Sequence, residues 1–156
     1  MYVKQSLKII LILLLIATIV ILSGCTDTAL PSDEIQISTS IYEFFQALSE
    51  QDWNQAKSYC INGSAAFDDV NNMETQWLSN FEGIDGIDIN YIVKNIESVT
   101  IIGKYAETYV HVDGIVLYEG EIIENNPGEI FQVYLQEISS VWKLYEIVEA
   151  DTPTSD

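Results

Sequence analysis

The pattern of apolar and polar residues changes once along the chain, from a helical period to an alternating one. Apolar residues between Ile41 and Leu48 recur in steps of three and four, which predicts a helix with one apolar face. Ser40 and Glu43 stand three residues apart at its start, which is the spacing of a capping box. From Ile87 onward, stretches such as 87–94 and 108–112 alternate between apolar and polar residues, and this period is typical of half-buried strands.

Two further helices are predicted between these segments. Asp52 is a favourable N-cap residue and opens a short helix that runs to Cys60, while Ser64 opens a longer one. The longer helix carries a single apolar stripe, formed by Phe67, Val70, Met73, Trp77 and Phe81. Both helices therefore need a partner surface that covers their apolar faces.

The second half of the chain predicts strands separated by turns. Residues 87–94 alternate, and turn residues follow at 103–104, 125–128 and 139–140. The sequence NNPG at 125–128 is the strongest of these turn signals, and the last strand is expected at 141–148. The order is three helices followed by about four long antiparallel strands, with one face of the sheet exposed to solvent. This order indicates an α+β domain with N-terminal helices packed on the sheet.

The first 24 residues have the layout of a secretory signal peptide. Lys4 and Lys8 precede an apolar run from Ile9 to Leu22, and small residues close it. The run is shorter than the roughly 20 residues that a membrane-spanning helix needs. An uncleaved N-terminal anchor and secretion after cleavage elsewhere are the alternatives. A signal peptide cleaved here, an uncleaved anchor and cleavage elsewhere would each place the rest of the chain outside the cytoplasm.

Four residues at the end of this segment carry a more specific signal: Leu22, Ser23, Gly24 and Cys25. They resemble the lipobox of prokaryotic lipoproteins. The resemblance implies that the Cys25 thiol receives a diacylglycerol and that Cys25 becomes the N-terminus. It implies a lipid-anchored domain on the extracytoplasmic side of the cell membrane, because two acyl chains suffice for stable anchoring.

The charge of the chain excludes one large class of partners. All 24 acidic residues follow Cys25, against four lysines there, so the segment beyond the signal carries a net charge of −20. The chain has no arginine. Such a chain repels phosphate backbones and lacks the guanidinium fork that binds phosphate, so nucleic-acid binding is not expected.

The expected organisation is a signal peptide at 1–24, a flexible tether at 25–36, one folded domain at 37–149 and a disordered tail at 150–156. About 130 residues beyond the signal are enough for one domain with one core. If Cys25 is acylated, Cys60 has no partner for a disulfide. Its helical spacing from Trp53 favours a buried structural thiol over a reactive one.

Three segments together resemble the nuclear transport factor 2-like superfamily: IYEFFQAL at 41–48, DWNQA at 52–56 and VWKLY at 141–145. The resemblance spans roughly residues 37–148 and implies helices folded against a strongly curved antiparallel sheet, which together form a cone. This fold hosts ketosteroid isomerase-like enzymes, dehydratases, polyketide cyclases and non-catalytic binding modules, so it does not select a function. Catalytic members use an Asp or a His–Asp pair inside the cone, with Tyr as oxyanion donor. No position here is matched to those roles.

The residues expected to form the core, part of them lining a pocket at the open end of the cone, are Phe45, Trp53, Trp77, Phe81 and Trp142. His111 is the only histidine and alternates with Val110 and Val112. If the two valines face the core, His111 faces solvent. We therefore assign no catalytic residue.

Two weaker patterns do not amount to a site. Asp85, Asp88 and Asn90 lie in a glycine-containing loop, but their spacing differs from that of an EF-hand loop. Ser140 and Lys143 match the S-x-x-K motif, yet they span a predicted turn and strand instead of a helix start. No metal and no cofactor are expected.

The leading hypothesis is a membrane-anchored, non-enzymatic module that binds a small apolar ligand or an envelope protein. The alternatives are an isomerase- or dehydratase-type enzyme with a carboxylate in the pocket, and a purely structural envelope domain. Two copies could pair through the exposed sheet face, where we expect contacts from Gln132, Tyr134 and Gln136.

Overall fold

The computed structural model describes residues 32–81 and 83–150. Three helices come first, followed by five strands of one antiparallel sheet, so the α+β class is confirmed. The helices are α1 (Asp33–Ser49), α2 (Trp53–Tyr59) and α3 (Ala65–Phe81). The strands are β1 (Ile87–Ile96), β2 (Thr100–Ile102), β3 (Tyr105–Tyr118), β4 (Glu121–Ile138) and β5 (Val141–Glu149).

Helix α1 begins earlier than the capping pattern predicted. Ser32 is the N-cap and its side chain accepts a hydrogen bond from the backbone N–H of Ile35. The predicted start at Ser40 is wrong, because Ile37 extends the buried face one turn upstream of Ile41. Residues 33–36, expected in the tether, therefore belong to the helix, and residues 25–31 lie outside the described chain.

The caps of the other two helices are confirmed. The Asp52 side chain accepts a hydrogen bond from the Gln55 N–H at 2.9 Å at the start of α2. The Ser64 hydroxyl oxygen accepts one from the Phe67 N–H at 3.3 Å at the start of α3. In both helices a side-chain oxygen thus satisfies one of the backbone donors that a helix start leaves unpaired.

The strand order in the sheet is β1-β3-β4-β5, and the short β2 also pairs with β3. We call the side covered by the helices the core face and the other side the outer face. On β3 the alternation is regular: Ala106, Thr108, Val110 and Val112 are buried on the core face. The same alternation was predicted from the sequence of this strand and is confirmed.

The turn predicted at 125–128 is wrong, because β4 runs straight through it. The chain reverses earlier, at Glu119 and Gly120, which adopt φ values of 51° and 83°. The NNPG segment forms a β-bulge, in which two residues of β4 oppose Asp113 alone. The Gly128 N–H donates to Asp113 Oδ1 at 2.8 Å, and its φ of 75° suits glycine.

The predicted turns at 103–104 and 139–140 are both present. Ser139 and Ser140 form the two-residue loop between β4 and β5, with φ values of 52° and 64°. Positive φ at both loop residues matches the twist of the flanking strands. The last strand therefore starts at Val141, as the sequence indicated.

One core lies between the helices and the core face of the sheet. Helices α1 and α3 both pack on β5, and Trp142 is 2% exposed there. The largest fully buried side chains are Ile37, Ile41, Val70, Val110, Val112, Val133, Leu135 and Leu144. Of the helices at 32–81, none is long and apolar enough to cross a membrane, and 83–150 holds no further helix.

Candidate functional site

A pocket of about 270 Å³ opens between α1, α3 and the core face of the sheet. Helix α1 supplies its inner wall, α3 one side, and strands β1, β4 and β5 the floor. Its lining combines aliphatic, aromatic and acidic side chains: Phe44, Phe45, Leu48, Asp69, Val70, Met73, Tyr91, Glu129, Phe131 and Ile147. The sequence resemblance implied a pocket at the open end of a cone, lined in part by the aromatic residues named above.

Phe45 is the centre of the aromatic wall. Its ring centroid lies 5.3 Å from that of Phe44 in an edge-to-face arrangement. The rings of Tyr91 and Phe131 lie 6.1 Å and 6.2 Å from it. These separations are those of interacting aromatic pairs, so the four rings form one continuous surface.

Glu129 reaches this pocket because its side chain lies on the core face of β4, with those of Phe131 and Val133. It pairs with Val112, a fully buried core-face residue, and directly opposed residues of an antiparallel pair point to the same side. Burial raises the pKa of the Glu129 carboxyl above its ordinary value, and the negative charges of Glu149 and Glu124 raise it further. The site therefore holds a carboxylate whose charge has no counterion among the lining residues.

Tyr91 is the second polar group of the pocket. Ser49 fixes its backbone, because the Ser49 hydroxyl oxygen accepts a hydrogen bond from the Tyr91 N–H at 2.8 Å. Burial raises the pKa of the Tyr91 phenol, and the charges of Glu129 and Glu124 act in the same direction. The hydroxyl thus stays protonated at neutral pH and can donate a hydrogen bond to a ligand.

Gly114 leaves space between these two polar side chains. It pairs with Tyr91 across β1 and β3. A methyl group placed on Gly114 would lie 3.8 Å from Glu129 Oε2 and 3.9 Å from Tyr91 Cε1, which is ordinary van der Waals contact. A single methyl group therefore fits here, whereas a longer side chain would enter the gap between Tyr91 and Glu129.

No lysine is among the lining residues identified for this pocket. Three lysines are held elsewhere: Lys57 pairs with Glu74 at 2.8 Å, Lys94 with Asp113 at 3.2 Å, and Lys143 donates to a backbone carbonyl oxygen. The acidic groups of the pocket, Asp69 and Glu129, therefore set the sign of its electrostatic potential.

A shallower groove of about 170 Å³ adjoins the pocket and shares Met73 and Tyr91 with it. It contains three aromatic residues that the sequence placed in the core or pocket: Trp53, Trp77 and Phe81. The Trp77 and Phe81 rings pack in a tilted arrangement with centroids 4.7 Å apart and stay partly exposed. Of the five proposed residues, Phe45 lines the main pocket, while Trp142 lies in the core away from it.

The polar residues of the pocket, Asp69, Tyr91 and Glu129, were not predicted from the sequence. Glu129 is missed because the sequence predicts a turn at 125–128, so the side chain of the next residue cannot be assigned to either face of the sheet. One signal could have found it: Glu129 has the same parity as Phe131 and Val133 on an otherwise apolar strand face. Charged residues are seldom buried unless they are paired, so an acid at such a position marks a candidate functional group.

His111 lies on the outer face, as predicted, because Val110 and Val112 are both fully buried. Its Nε2 atom lies 2.8 Å from Glu97 Oε1. Within 32–81 and 83–150, no group of three or more His, Cys, Asp or Glu side chains is arranged to hold a metal ion.

Cys60 is a buried thiol, as its spacing indicated. It is 3% exposed, and its Sγ contacts the Ala56 carbonyl oxygen at 3.6 Å. Burial raises the pKa of the Cys60 thiol to about 12, so the reactive thiolate is absent at neutral pH. The lipobox-like residues Leu22, Ser23, Gly24 and Cys25 lie outside the described residues.

Gln132, Tyr134 and Gln136 lie partly exposed on the outer face of β4. The Tyr134 ring packs beside that of Tyr145, with centroids 5.9 Å apart. This face is available for contact with another molecule, and the pairing of two copies through it stays a prediction.

Comparison with solved structures shows the fold. Aln2 from a Streptomyces species is 13% identical, with a TM-score of 0.61 over 76% of this chain and 91% of that one. A protein of unknown function with a cystatin-like fold from Nostoc punctiforme is 12% identical, with a TM-score of 0.59 over 78% and 92%. The beta subunit of the benzoate 1,2-dioxygenase from Burkholderia mallei is 6% identical, with a TM-score of 0.60 over 72% and 86%.

No family model and no curated protein matches the sequence. At these low identities the structural likeness defines the fold alone. The domain therefore has the cystatin-like, nuclear transport factor 2-like fold, which confirms the fold class expected from the sequence resemblance.

Proposed function

We propose that the protein is a lipid-anchored extracytoplasmic domain that binds a small, largely apolar molecule in the pocket between α1, α3 and the sheet. The observation that carries the binding function is the 270 Å³ cavity with its continuous aromatic wall around Phe45. Binding pockets are typically apolar clefts with a few convergent polar groups, and Tyr91 and Glu129 are such groups here.

The size of the cavity limits the affinity that apolar contact alone can give. A ligand that buries roughly 200 Å² of apolar surface gains about 5 kcal/mol. That corresponds to a dissociation constant of about 0.2 mM, before the entropy lost on association is subtracted. Tighter binding therefore depends on contacts with the two polar side chains of the pocket.

A glycine series tests the pocket itself. Gly114→Ala adds a methyl group that fits, whereas Gly114→Leu extends a side chain between Tyr91 and Glu129. Isothermal titration with benzyl alcohol, on full-length protein in lipid nanodiscs, should show binding for the wild type and the Ala variant. The Leu variant should bind at least about tenfold more weakly. Equal affinity in all three proteins would contradict a ligand site in this pocket.

The membrane anchor of the proposal rests on the lipobox-like residues Leu22 to Cys25 and on the signal-like segment before them. The folded domain starts at Asp33, so its first helix would stand a few residues from the bilayer surface. Cys25→Ser should prevent acylation and leave an unprocessed precursor.

Cys60→Ser is the matched control, because it removes the other cysteine of the chain. Intact-mass analysis should show two acyl chains on the wild type and on the Cys60 variant, and none on the Cys25 variant. Wild-type protein without any acyl mass would end the lipoprotein proposal and leave the ligand pocket unaffected.

An isomerase- or dehydratase-type enzyme is a second candidate, favoured by one observation. Glu129 is a carboxyl group of raised pKa in an apolar pocket that also contains Tyr91. A base of raised pKa removes a proton more effectively near neutral pH, and a protonated Tyr can stabilise a developing oxyanion.

Deuterium exchange at the α-carbon of small cyclic ketones, followed by NMR, tests this activity without knowledge of the natural substrate. Exchange above the buffer rate that disappears in Glu129→Gln would support an enzyme. Exchange at the buffer rate with retained binding of the same ketones would favour the binding module.

A further inference from the structure

The pocket combines aromatic rings with carboxylates. Four aromatic rings line it, three of them packed on that of Phe45, and two carboxylates border it, from Asp69 and Glu129. Its identified lining residues include no lysine that could neutralise either carboxylate.

We infer that the ligand of this pocket is a small organic cation, an ammonium group carried on an apolar or aromatic body. This inference rests on the proposed binding function and specifies the chemical class of its ligand. The apolar body would lie against the Phe45 wall, and the ammonium group would lie toward Glu129 and Tyr91.

The aromatic rings favour a cation for an electrostatic reason. The face of an aromatic ring carries partial negative charge, and a desolvated ammonium group within about 6 Å of a ring centroid is attracted to it. Phe44, Tyr91 and Phe131 all line the pocket, and their ring centroids lie within 6.2 Å of that of Phe45, so the aromatic side chains of the lining are close to one another.

The carboxylates favour the same charge. Glu129 lies near two other acids, Glu124 and Glu149, and together with burial these acids raise the pKa of its carboxyl. A bound cation relieves this repulsion, whereas a bound anion increases it. The net charge of −18 on the whole chain acts in the same direction, because it raises the concentration of cations near the surface.

Three probes of nearly equal shape separate charge from apolar contact: benzylammonium, benzyl alcohol and benzoate. Titrated at pH 7 into the full-length protein in nanodiscs, benzylammonium should bind about tenfold more tightly than benzyl alcohol. Benzoate should bind most weakly. Empty nanodiscs supply the blank for partitioning into lipid.

Two glutamates of β4 give a matched pair of variants. Glu129→Gln removes the pocket carboxylate, and Glu121→Gln removes an exposed one at the start of the same strand. The preference for benzylammonium over benzyl alcohol should disappear in the first variant and persist in the second. Asp69→Asn should reduce this preference in part. A thermal melt of each variant establishes that the variant is folded.

The possible outcomes distinguish this inference from the function on which it rests. Equal binding of the cation and the alcohol, with both weakened by Gly114→Leu, would overturn the cation inference and leave an apolar pocket. A preference that Glu129→Gln and Glu121→Gln reduce equally would overturn it as well, since the whole chain's charge would then explain it. Binding of none of the three probes would overturn the proposed pocket function too.

Discussion

Truncation of Trp142 tests whether the last strand and the helices share one core. Its side chain is 2% exposed and its indole N–H donates to Asp33 Oδ1 at 3.1 Å, which joins β5 to the first turn of α1. The Ser40 hydroxyl also donates to the Trp142 carbonyl oxygen at 3.1 Å. Trp142→Ala therefore removes the indole and its hydrogen bond to Asp33, while the backbone carbonyl that accepts from Ser40 stays in place.

The expected magnitude follows from this burial. A buried Trp removes about 150–250 Å² from water, worth about 4–6 kcal/mol at roughly 25 cal/mol per Å². Alanine keeps only the first carbon of the Trp142 side chain, so Trp142→Ala should cost about 3–5 kcal/mol. Loss of the hydrogen bond to the partly solvated Asp33 adds about 0.5–1 kcal/mol at most.

Trp77→Ala is the matched control, because Trp77 is partly exposed beside Phe81. It should cost about 1–2 kcal/mol, since less of its surface is removed from water on folding. Urea unfolding of the full-length protein, followed by circular dichroism, gives both free energies of unfolding. Trp142→Phe should fall between wild type and Trp142→Ala, because it keeps a ring but loses the donor.

A cost for Trp142→Ala no larger than that for Trp77→Ala would refute this account. That result would mean that the core face of β5 does not pack under the helices in the way the burial of Trp142 indicates. A loss confined to the denaturant slope, with an unchanged midpoint, would instead point to an effect on the unfolded state.

Three further predictions concern groups outside this contact. The raised pKa of Glu129 means that its ionisation opposes folding at pH values above its ordinary pKa of 4.5. Glu129→Gln should therefore melt at a higher temperature than wild type at pH 7. This gap in melting temperature should close below about pH 4.5. A gap that is the same at both pH values would contradict this. Cys60, with a pKa of about 12, should resist iodoacetamide at pH 8 until urea unfolds the domain, as peptide mass analysis would show. Replacing Ser139 and Ser140 by Asn and Gly should stabilise the β4–β5 hairpin by about 1 kcal/mol, because both positions have positive φ; an unchanged urea midpoint would speak against it.

Local features of the fold could be predicted from the sequence because they depend on interactions between residues that are close together in the chain. Asp52 and Ser64 cap their helices as predicted, since an N-cap needs only its own side chain and the next three residues. The alternation of Val110, His111 and Val112 likewise placed the histidine outside, because a strand inverts its side chains at every residue.

The same short-range signals failed where a distant segment decided the outcome. Ser40 has a capping spacing, yet it lies inside α1 because Ile37 finds buried space in a core built by later strands. The NNPG segment has turn chemistry, yet it continues β4 because β3 pairs with it on both sides of Asp113. In each case the energy of long-range packing or pairing exceeds the local preference, which is typically about 1 kcal/mol or less.

The candidate site depends almost wholly on contacts between segments that are distant in the sequence. The sequence determined by itself the signal-like segment, the acidic charge, the α+β order of elements and the apolar character of Phe45. Only the tertiary structure decided that Tyr91 and Glu129 lie beside it, because that depends on the register of three strands, β1, β3 and β4. Glu129 has the same parity as Phe131 and Val133, and the pairing of β4 with β3 turns that face toward the helices, which places a second acid beside Asp69 in the pocket.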